Sequence, residues 1–154
     1  MQPVSRATVL AFYQAYGSRD PKRLAAFLDD DVEWMISGPV DVLHFCGQRR
    51  GKAAALEVIE RLVPSTFEFA GFEPDALLID VDRVATLSTL SGILVEGKRK
   101  ISYRLAHFIR FRDGKVTRFR SLIDSFDAAE QVLGHPIDVG PSANAVLPKG
   151  IFAI

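Results

Sequence analysis

One stretch decides the fold of this chain: residues 100–124, which read KISYRLAHFIRFRDGKVTRFRSLID. From Ile101 to Phe111 the odd-numbered positions are apolar or aromatic apart from His107, while most even-numbered positions are cationic or polar. Alternation with a period of two predicts a β-strand with one apolar face and one solvent face. Asp113 and Gly114 follow it and form a strong tight-turn signal, because both residue types tolerate positive φ. The stretch therefore predicts a β-hairpin that covers a core.

The preceding residues extend this hairpin into a meander. From Thr66 onward the residues are strand formers, interrupted by turn signals at 80–83 and 96–98. Together with the turn at 112–115, these signals predict about four antiparallel strands.

The second strand of the hairpin continues both faces. Alternation places Phe119, Ser121 and Ile123 on the apolar face, and it places Val116, Arg118, Arg120 and Leu122 on the other. Because guanidinium groups bind carboxylates and phosphates, an anion-binding surface that includes Arg104 and Arg110 is one interpretation of this second face. The alternative is a solvated or dimer-buried face, paired with carboxylates such as Glu68 or Asp124. Phe108 is the one aromatic residue for base stacking, so we expect no nucleic-acid binding.

Helical patterns precede the strands. Val9, Phe12, Tyr13 and Tyr16 follow i, i+3, i+4 and i+7 spacing and predict a first helix from about Ser5 to Gly17, with Gly17 expected to stop it. A second helix begins at Asp20-Pro21, and we expect the acidic run 29–31 to end it. A third apolar stripe covers 55–62, and Pro64 is expected to prevent its continuation.

Shorter elements complete the pattern. Val32, Trp34 and Ile36 predict a short strand with these residues inward, followed by a glycine-punctuated loop over 38–51. A short helix is expected from Ser125 to Val132. The tail 134–154 ends in apolar residues that we expect to pack. Helices followed by hairpins predict one α+β domain over 1–154, with its core at about 5–133.

Composition limits the classes of function. Lys and Arg total 19, as do Asp and Glu, so no net charge attracts nucleic acid or an anionic membrane. No apolar run approaches the roughly 18 residues of a membrane span, and no export signal is apparent. The single cysteine, Cys46, has no intrachain partner. We therefore expect a cytoplasmic protein without membrane contact.

Two groups of residues suggest chemistry. His107 on its apolar strand face is a candidate general acid or base, and the alternative is a core histidine bonded to a hydroxyl such as Tyr103 or Tyr16. Asp41, His44 and Cys46 lie close together in the 38–51 loop, but their spacing matches no standard metal site. The loop sequence GQRRG lacks a Walker A ending and a dinucleotide fingerprint. We expect neither a metal nor a cofactor.

Three stretches resemble the nuclear transport factor 2-like superfamily, especially its polyketide-cyclase (SnoaL-like) branch. They are FYQAYGSRDPKRLAAFLDDDVEW, HFCGQRRGKAAALEVIERL and YRLAHFIRFRDGKVTRFRSLIDSFDAA, within 7–133. The resemblance implies a cystatin-like α+β barrel, in which a strongly curved antiparallel or mixed sheet wraps around three N-terminal helices into a cone. It also implies a homodimer that pairs through its sheet faces.

Known activities of this superfamily do not transfer residue by residue. The positions of a steroid isomerase's base and oxyanion-hole groups fall on Ile36, His107 and Phe12. Isoleucine cannot take a proton, so the resemblance does not support that activity. The aspartate-arginine-aspartate set of the epoxide hydrolases is also absent from the expected pocket face.

The resemblance and the strand pattern together predict a pocket inside the cone for a small, mostly apolar ligand. Its catalytic candidates are His107 as acid or base and Tyr103 as hydrogen-bond donor. Its ligand-binding candidates are Phe12, Tyr16, Trp34, Ile36, Leu105, Phe119, Ser121 and Ile123. One interpretation is a cofactor-free isomerase, cyclase or dehydratase. The alternatives are a non-catalytic binding or assembly module and a cone that is simply packed core.

Overall fold

The structure, a computed structural model, describes residues 2–140 of the chain. The expected packing of the apolar end, 151–154, lies outside this range. The helical segments are α1 (Arg6–Ser18), α2 (Pro21–Ala25), α3 (Lys52–Glu57), a π-helical turn (Val58–Leu62), α4 (Val63–Thr66) and α5 (Ser125–Leu133). The strands are β1 (Leu28–Ser37), β2 (Gly47–Arg50), β3 (Phe67–Asp80), β4 (Arg83–Leu94), β5 (Lys100–Arg112) and β6 (Lys115–Ile123).

A single curved sheet organises these elements. Its strand order is β2-β1-β6-β5-β4-β3, and neighbouring strands are antiparallel except β1 and β6, which are parallel. The predicted four-stranded meander, β3 to β6, is confirmed. So is the predicted α+β class, with a mixed sheet and N-terminal helices.

The core lies between the helices and one face of this sheet. All six odd-numbered residues of β5 from Ile101 to Phe111 are buried, as the alternation predicted. Trp34 of β1 stacks on Phe119 of β6, with ring centroids 3.8 Å apart and planes 10° apart. Phe12 of α1 packs onto this layer, 6.4 Å from Phe119. The buried faces of β1, β5 and β6 therefore meet α1 in one aromatic core.

The predicted ends of the first two helices are wrong. The α1 helix continues past Gly17 to Ser18, and Arg19 takes the left-handed conformation that ends it. The acidic run 29–31 does not end α2 but belongs to β1. Arg112 of β5 donates to Asp29 at 3.0 Å, so the carboxylate is stabilised by a strand that lies far away in sequence.

The third helix does not stop before Pro64. It passes through the π-helical turn, where Val63 N–H bonds to Val58 O, and ends at Thr66. Pro64 directly follows this turn, and the helix ends two residues later, within one turn of the proline.

Two strand details also differ from expectation. The loop predicted over 38–51 contains the strand β2. This strand pairs with β1 from Gly47, which lies opposite Ile36, to Arg50, which lies opposite Glu33. Val116 is buried, although alternation placed it on the cationic face. The register shifts between the pairs Arg110–Arg118 and Phe111–Val116, so one extra residue, Thr117, returns Val116 to the core side.

Two glycine substitutions test this packing, because we expect them to change the free energy of unfolding in opposite directions. A Cβ at Gly92 in β4 would lie 2.6 Å from the Phe67 ring and 2.7 Å from Glu68 O. We expect Gly92→Ala to lower the free energy of unfolding by about 1–3 kcal/mol because the core is overpacked. The matched control is Gly17→Ala in α1, where a Cβ meets nothing within 4 Å. It should raise stability by roughly 0.5–1 kcal/mol. Urea unfolding measures both, and equal effects of the two variants would contradict the packing described.

Candidate functional site

Six of the predicted pocket residues line one small space, the inner cavity, between the sheet and the helices. These are Tyr16, Ile36, Tyr103, Leu105, Ser121 and Ile123, and Arg19, Phe45, Val63, Phe67 and Leu90 complete the lining. The volume of the inner cavity is only about 20 Å³. This is room for one or two waters or a very small group, so the cone is largely filled by its own side chains.

The remaining four predicted residues do not line the inner cavity. Phe12, Trp34, His107 and Phe119 are fully buried, each with no exposed surface. They belong to the aromatic core beside the cavity, where the cavity-lining Tyr16 contacts the rings of Trp34 and Phe119. His107 in particular is enclosed by the rings of Tyr13, Tyr16, Phe72 and Phe119, whose centroids lie 4.6–5.9 Å from its own.

A larger concave space is the open groove between α1 and β3, which the sequence patterns did not predict. Its volume is about 650 Å³. We call it the α1–β3 groove, lined by Arg6, Leu10, Tyr13, Gln14, Gly17, Phe69, Phe72, Pro74, Asp75, Ala76, Leu77 and Thr86. The lining is mainly apolar, with a few polar groups at the floor and rim.

A hydrogen-bonded trio connects this groove to His107. The Tyr13 hydroxyl lies 2.9 Å from Thr86 Oγ1 and 3.1 Å from His107 Nδ1. The expectation that Tyr103 or Tyr16 bonds to His107 is therefore wrong. Thr86 and His107 are register partners in β4 and β5, and the Tyr13 side chain of α1 contacts both of them. Tyr13 thus faces the groove and also contacts the buried imidazole.

Burial keeps these groups uncharged at neutral pH. Burial and, to a smaller extent, the positive charge of Arg19 together lower the pKa of His107 from 6.5 to about 3. Burial likewise raises the pKa of Tyr13, although its hydrogen bond with Thr86 opposes the shift. The pKa of Tyr103 is raised for the same reason. The site is therefore a set of neutral hydrogen-bonding groups.

The unpartnered nitrogen of His107 indicates its tautomer. Nε2 is buried and has no hydrogen-bond partner. An unmatched lone pair is tolerated better than an unmatched N–H, so the proton belongs on Nδ1, which donates to the Tyr13 oxygen. The Tyr13 hydroxyl then keeps its own proton for Thr86 or for a molecule in the groove. The trio therefore gives the groove floor a hydrogen-bond donor.

Tyr13 was recognised in the sequence only as part of the apolar helix stripe. The available signal was a phenol one residue after Phe12 in α1, but which strand residue it meets depends on how α1 crosses the sheet. Periodicity carries no information about that crossing.

The other chemical candidates have structural explanations. His44 is exposed and its Nδ1 lies 3.0 Å from Val40 O, whereas Cys46 is buried. Burial raises the pKa of the Cys46 thiol to about 12, so it stays protonated. Within the range 2–140, no three His, Cys, Asp or Glu side chains come together as a metal site requires.

The cationic sheet face is largely paired with carboxylates. Arg110 donates to Asp82 and Arg118 donates to Glu33, both at 2.8 Å. Arg104 lies 4.0 Å from Asp124, one of the two carboxylates expected to pair with this face, whereas Glu68 pairs with Lys98. None of the helices in the described part of the chain is long and apolar enough to cross a membrane.

Comparisons with known proteins agree with this architecture. A protein from Rhodopseudomonas palustris that carries the provisional name of isomerase is 31% identical to this chain. Their structures match with a TM-score of 0.78 over 86% of this chain and 100% of that protein. A nuclear transport factor 2-like protein from Burkholderia xenovorans is 27% identical, with a TM-score of 0.69 over 80% of this chain and 92% of its own.

An LEH-like epoxide hydrolase from M. tuberculosis shares the fold at 21% identity, with a TM-score of 0.65 over 83% of this chain and 88% of its own. No functionally curated protein matches the chain. The family model of the SnoaL-like domain matches residues 9–119, which is most of the chain. The chain therefore belongs to the SnoaL-like family, within the nuclear transport factor 2-like superfamily.

Proposed function

We propose that this protein binds a small, mostly apolar molecule that carries a hydrogen-bond acceptor. The observation that carries the proposal is the Tyr13 hydroxyl at the floor of the α1–β3 groove, held by Thr86 and His107. In this function Tyr13 donates to the acceptor of the ligand, while Leu10, Phe69 and Phe72 cover its apolar part.

The dimensions of the groove support this proposal. Small-molecule sites are commonly of roughly 300–1,000 Å³, mainly apolar, with a few polar groups that fix orientation. The α1–β3 groove, at about 650 Å³, falls within that range, whereas the inner cavity, at about 20 Å³, does not. A ligand of more than a few atoms therefore fits the groove without moving core side chains.

The second candidate function is a cofactor-free isomerase, cyclase or dehydratase, with His107 as acid or base and Tyr103 as donor. The contact between Tyr13 and His107 favours it, since a proton can pass from the imidazole to the groove through the hydroxyl. The lowered pKa of His107 weighs against it, because an acid or base works best with a pKa near the operating pH. Binding is therefore the better supported function.

We also propose that the protein is a homodimer that pairs through the outer sheet face. Leu87, Phe108 and Leu122 are 43%, 50% and 46% exposed on that face. Leu87 and Leu122 flank Ala106 in register, so an apolar row crosses β4, β5 and β6. Exposed apolar rows of this kind are typical of interaction surfaces.

Acetophenone and ethylbenzene form a matched pair of probes for the groove, since only the ketone accepts a hydrogen bond. We expect acetophenone to shift the backbone amide signals of Leu10 and Gly17 in an NMR titration. Tyr13→Phe should weaken acetophenone binding by roughly 2- to 10-fold, the effect of one hydrogen bond. It should leave ethylbenzene binding unchanged.

The control variant for this experiment is Tyr103→Phe, which removes a hydroxyl from the inner cavity instead. It should affect neither probe. If Tyr103→Phe weakens acetophenone binding and Tyr13→Phe does not, the ligand site is the inner cavity. If saturating acetophenone moves no groove signal, the proposed site is wrong.

The pH dependence of stability tests the state of His107. Unfolded His107 takes up a proton below about pH 6.5, whereas the folded imidazole remains neutral down to about pH 3. The stability that this group contributes is thus complete above pH 6.5 and is lost as pH falls toward 3. The expected slope is up to about 1.4 kcal/mol per pH unit.

The variant His107→Gln should lack this slope, and His44→Gln, at an exposed ring, should keep it. Urea unfolding at several pH values measures the difference. Because His107→Gln can also impair folding, an NMR titration of the wild-type imidazole gives an independent readout. A His107 signal that titrates between pH 6 and 7 would favour the acid–base function instead.

Light scattering with size-exclusion chromatography tests the dimer. Leu122→Glu places a charge in the apolar row and should convert a dimeric species to monomers. Val40→Glu, at a residue that is 50% exposed in the loop between β1 and β2, lies outside the apolar row and should not change the mass. A monomeric wild type, or a Leu122→Glu dimer, would exclude this interface.

A further inference from the structure

Arg19 has an unusual position between α1 and α2. It is one of few non-glycine residues at positive φ, with φ 58° and ψ 16°, and its N–H bonds back to Tyr16 O at 3.4 Å. Glycine or asparagine usually occupies this left-handed position, because a Cβ is disfavoured there. The turn therefore carries strain, and it folds the arginine side chain back onto the core.

The guanidinium of Arg19 is held between two aromatic rings. Its central carbon lies 4.0 Å from the ring centroid of Phe69 and 4.7 Å from that of Tyr16. Phe69 lines the α1–β3 groove, while Tyr16 and Arg19 line the inner cavity. The guanidinium thus lies in the wall between the two spaces, and the stacking fixes its plane.

This cation lacks a counter-ion in the described part of the chain. Both Nε and Nη2 are buried without a hydrogen-bond partner. The ion pairs formed within residues 2–140 all involve other side chains. A half-buried guanidinium without a carboxylate costs free energy, since the part of the charge that leaves water has no partner to offset the loss. The two rings offset part of this cost through cation–π attraction.

The inner cavity has the chemistry of an anion receptor. None of its lining residues is acidic, and the polar ones are Arg19, Tyr16, Tyr103 and Ser121. Tyr16, Tyr103 and Ser121 belong to α1, β5 and β6. Three elements therefore contribute residues with hydroxyl groups, which can donate hydrogen bonds, to the lining of one small space. The positive charge of Arg19 also acts on the Tyr103 phenol. It lowers the pKa of this phenol, against the larger increase that burial causes.

We propose that the inner cavity receives the carboxylate of a small organic acid, with the Arg19 guanidinium as its charged partner. The planar fork of arginine matches the two oxygens of a carboxylate. A volume of about 20 Å³ admits little more than the head group, so the acid is one with a very short chain. The inference goes beyond the proposed function, because it adds a second site for a small carboxylic acid beside the α1–β3 groove.

Sodium formate is the probe for this site, because it is small enough to enter the cavity whole. Formamide is the matched control, since it is close in size and planar but uncharged. The readout is the side-chain Nε–H signal of Arg19 in a ¹⁵N NMR titration, in a buffer without other small carboxylates. We expect formate to shift this signal to saturation and to bind about tenfold or more tightly than formamide.

Two substitutions test where formate binds. The readout in both variants is the shift of the backbone amide signals of Tyr103 and Ser121 during the formate and formamide titrations. Arg19→Gln removes the charge and should abolish the preference for formate. Arg6→Gln removes the arginine that lines the groove and should leave the preference intact. If formate binds no more tightly than formamide, or if Arg6→Gln abolishes the preference instead, the inference is overturned. The groove titration with acetophenone fails or succeeds independently, so the two proposals are distinguishable.

A stability measurement keeps the inference testable without any ligand. Arg19→Met retains a Cβ at the same backbone position and still covers Tyr16 and Phe69, but it removes the unpaired charge. We expect its urea midpoint to equal or exceed that of the wild type, and formate should stabilise only the wild type. A lower midpoint for Arg19→Met, together with stabilisation by formate that is equal in both proteins, would assign Arg19 a purely structural role.

Discussion

The burial of one face of β1, β5 and β6 against α1 is the constraint on which the rest of this structure depends. Trp34 and Phe119 stack at its centre, and Phe12 closes it from the helix side. Apolar surface of this size contributes most of the favourable free energy of folding, and polar groups on the same face must adapt to it. His107 and Arg19 are the two groups that this requirement affects most.

These two residues respond to burial in different ways. The imidazole of His107 gives up its charge and shares one hydrogen bond with Tyr13, so it is a stable part of the core. A guanidinium cannot give up its proton in a protein, so Arg19 stays charged and its buried nitrogens stay unpartnered. His107 leaves one nitrogen of a neutral ring without a partner, whereas Arg19 leaves two nitrogens of a charged group without one, and the unpaired charge costs more free energy. The inference about Arg19 follows from this difference.

Much of the fold was predictable from local patterns. The alternation from Ile101 to Phe111 and the Asp113-Gly114 turn predicted the hairpin, and the strand order confirmed the meander. Six of the ten predicted site residues line the inner cavity. The acidic run after α2 and the strand β2 both belong to the sheet through pairing with other segments, and the burial of Val116 depends on the register shift in its hairpin. The alternation of apolar and polar residues does not show where a bulge inserts an extra residue into a strand.

The sequence by itself determined which side chains enter the core, because the period of a strand or helix assigns each residue to a face. It therefore determined the α+β class, the burial of His107 and the family. Only the tertiary structure decided that the cone is nearly filled, that Tyr13 rather than Tyr103 meets His107, and that Arg19 folds inward. The physical reason is that cavities and hydrogen bonds arise where separate elements meet. Their geometry depends on crossing angles, register shifts and one left-handed turn, which periodicity does not encode.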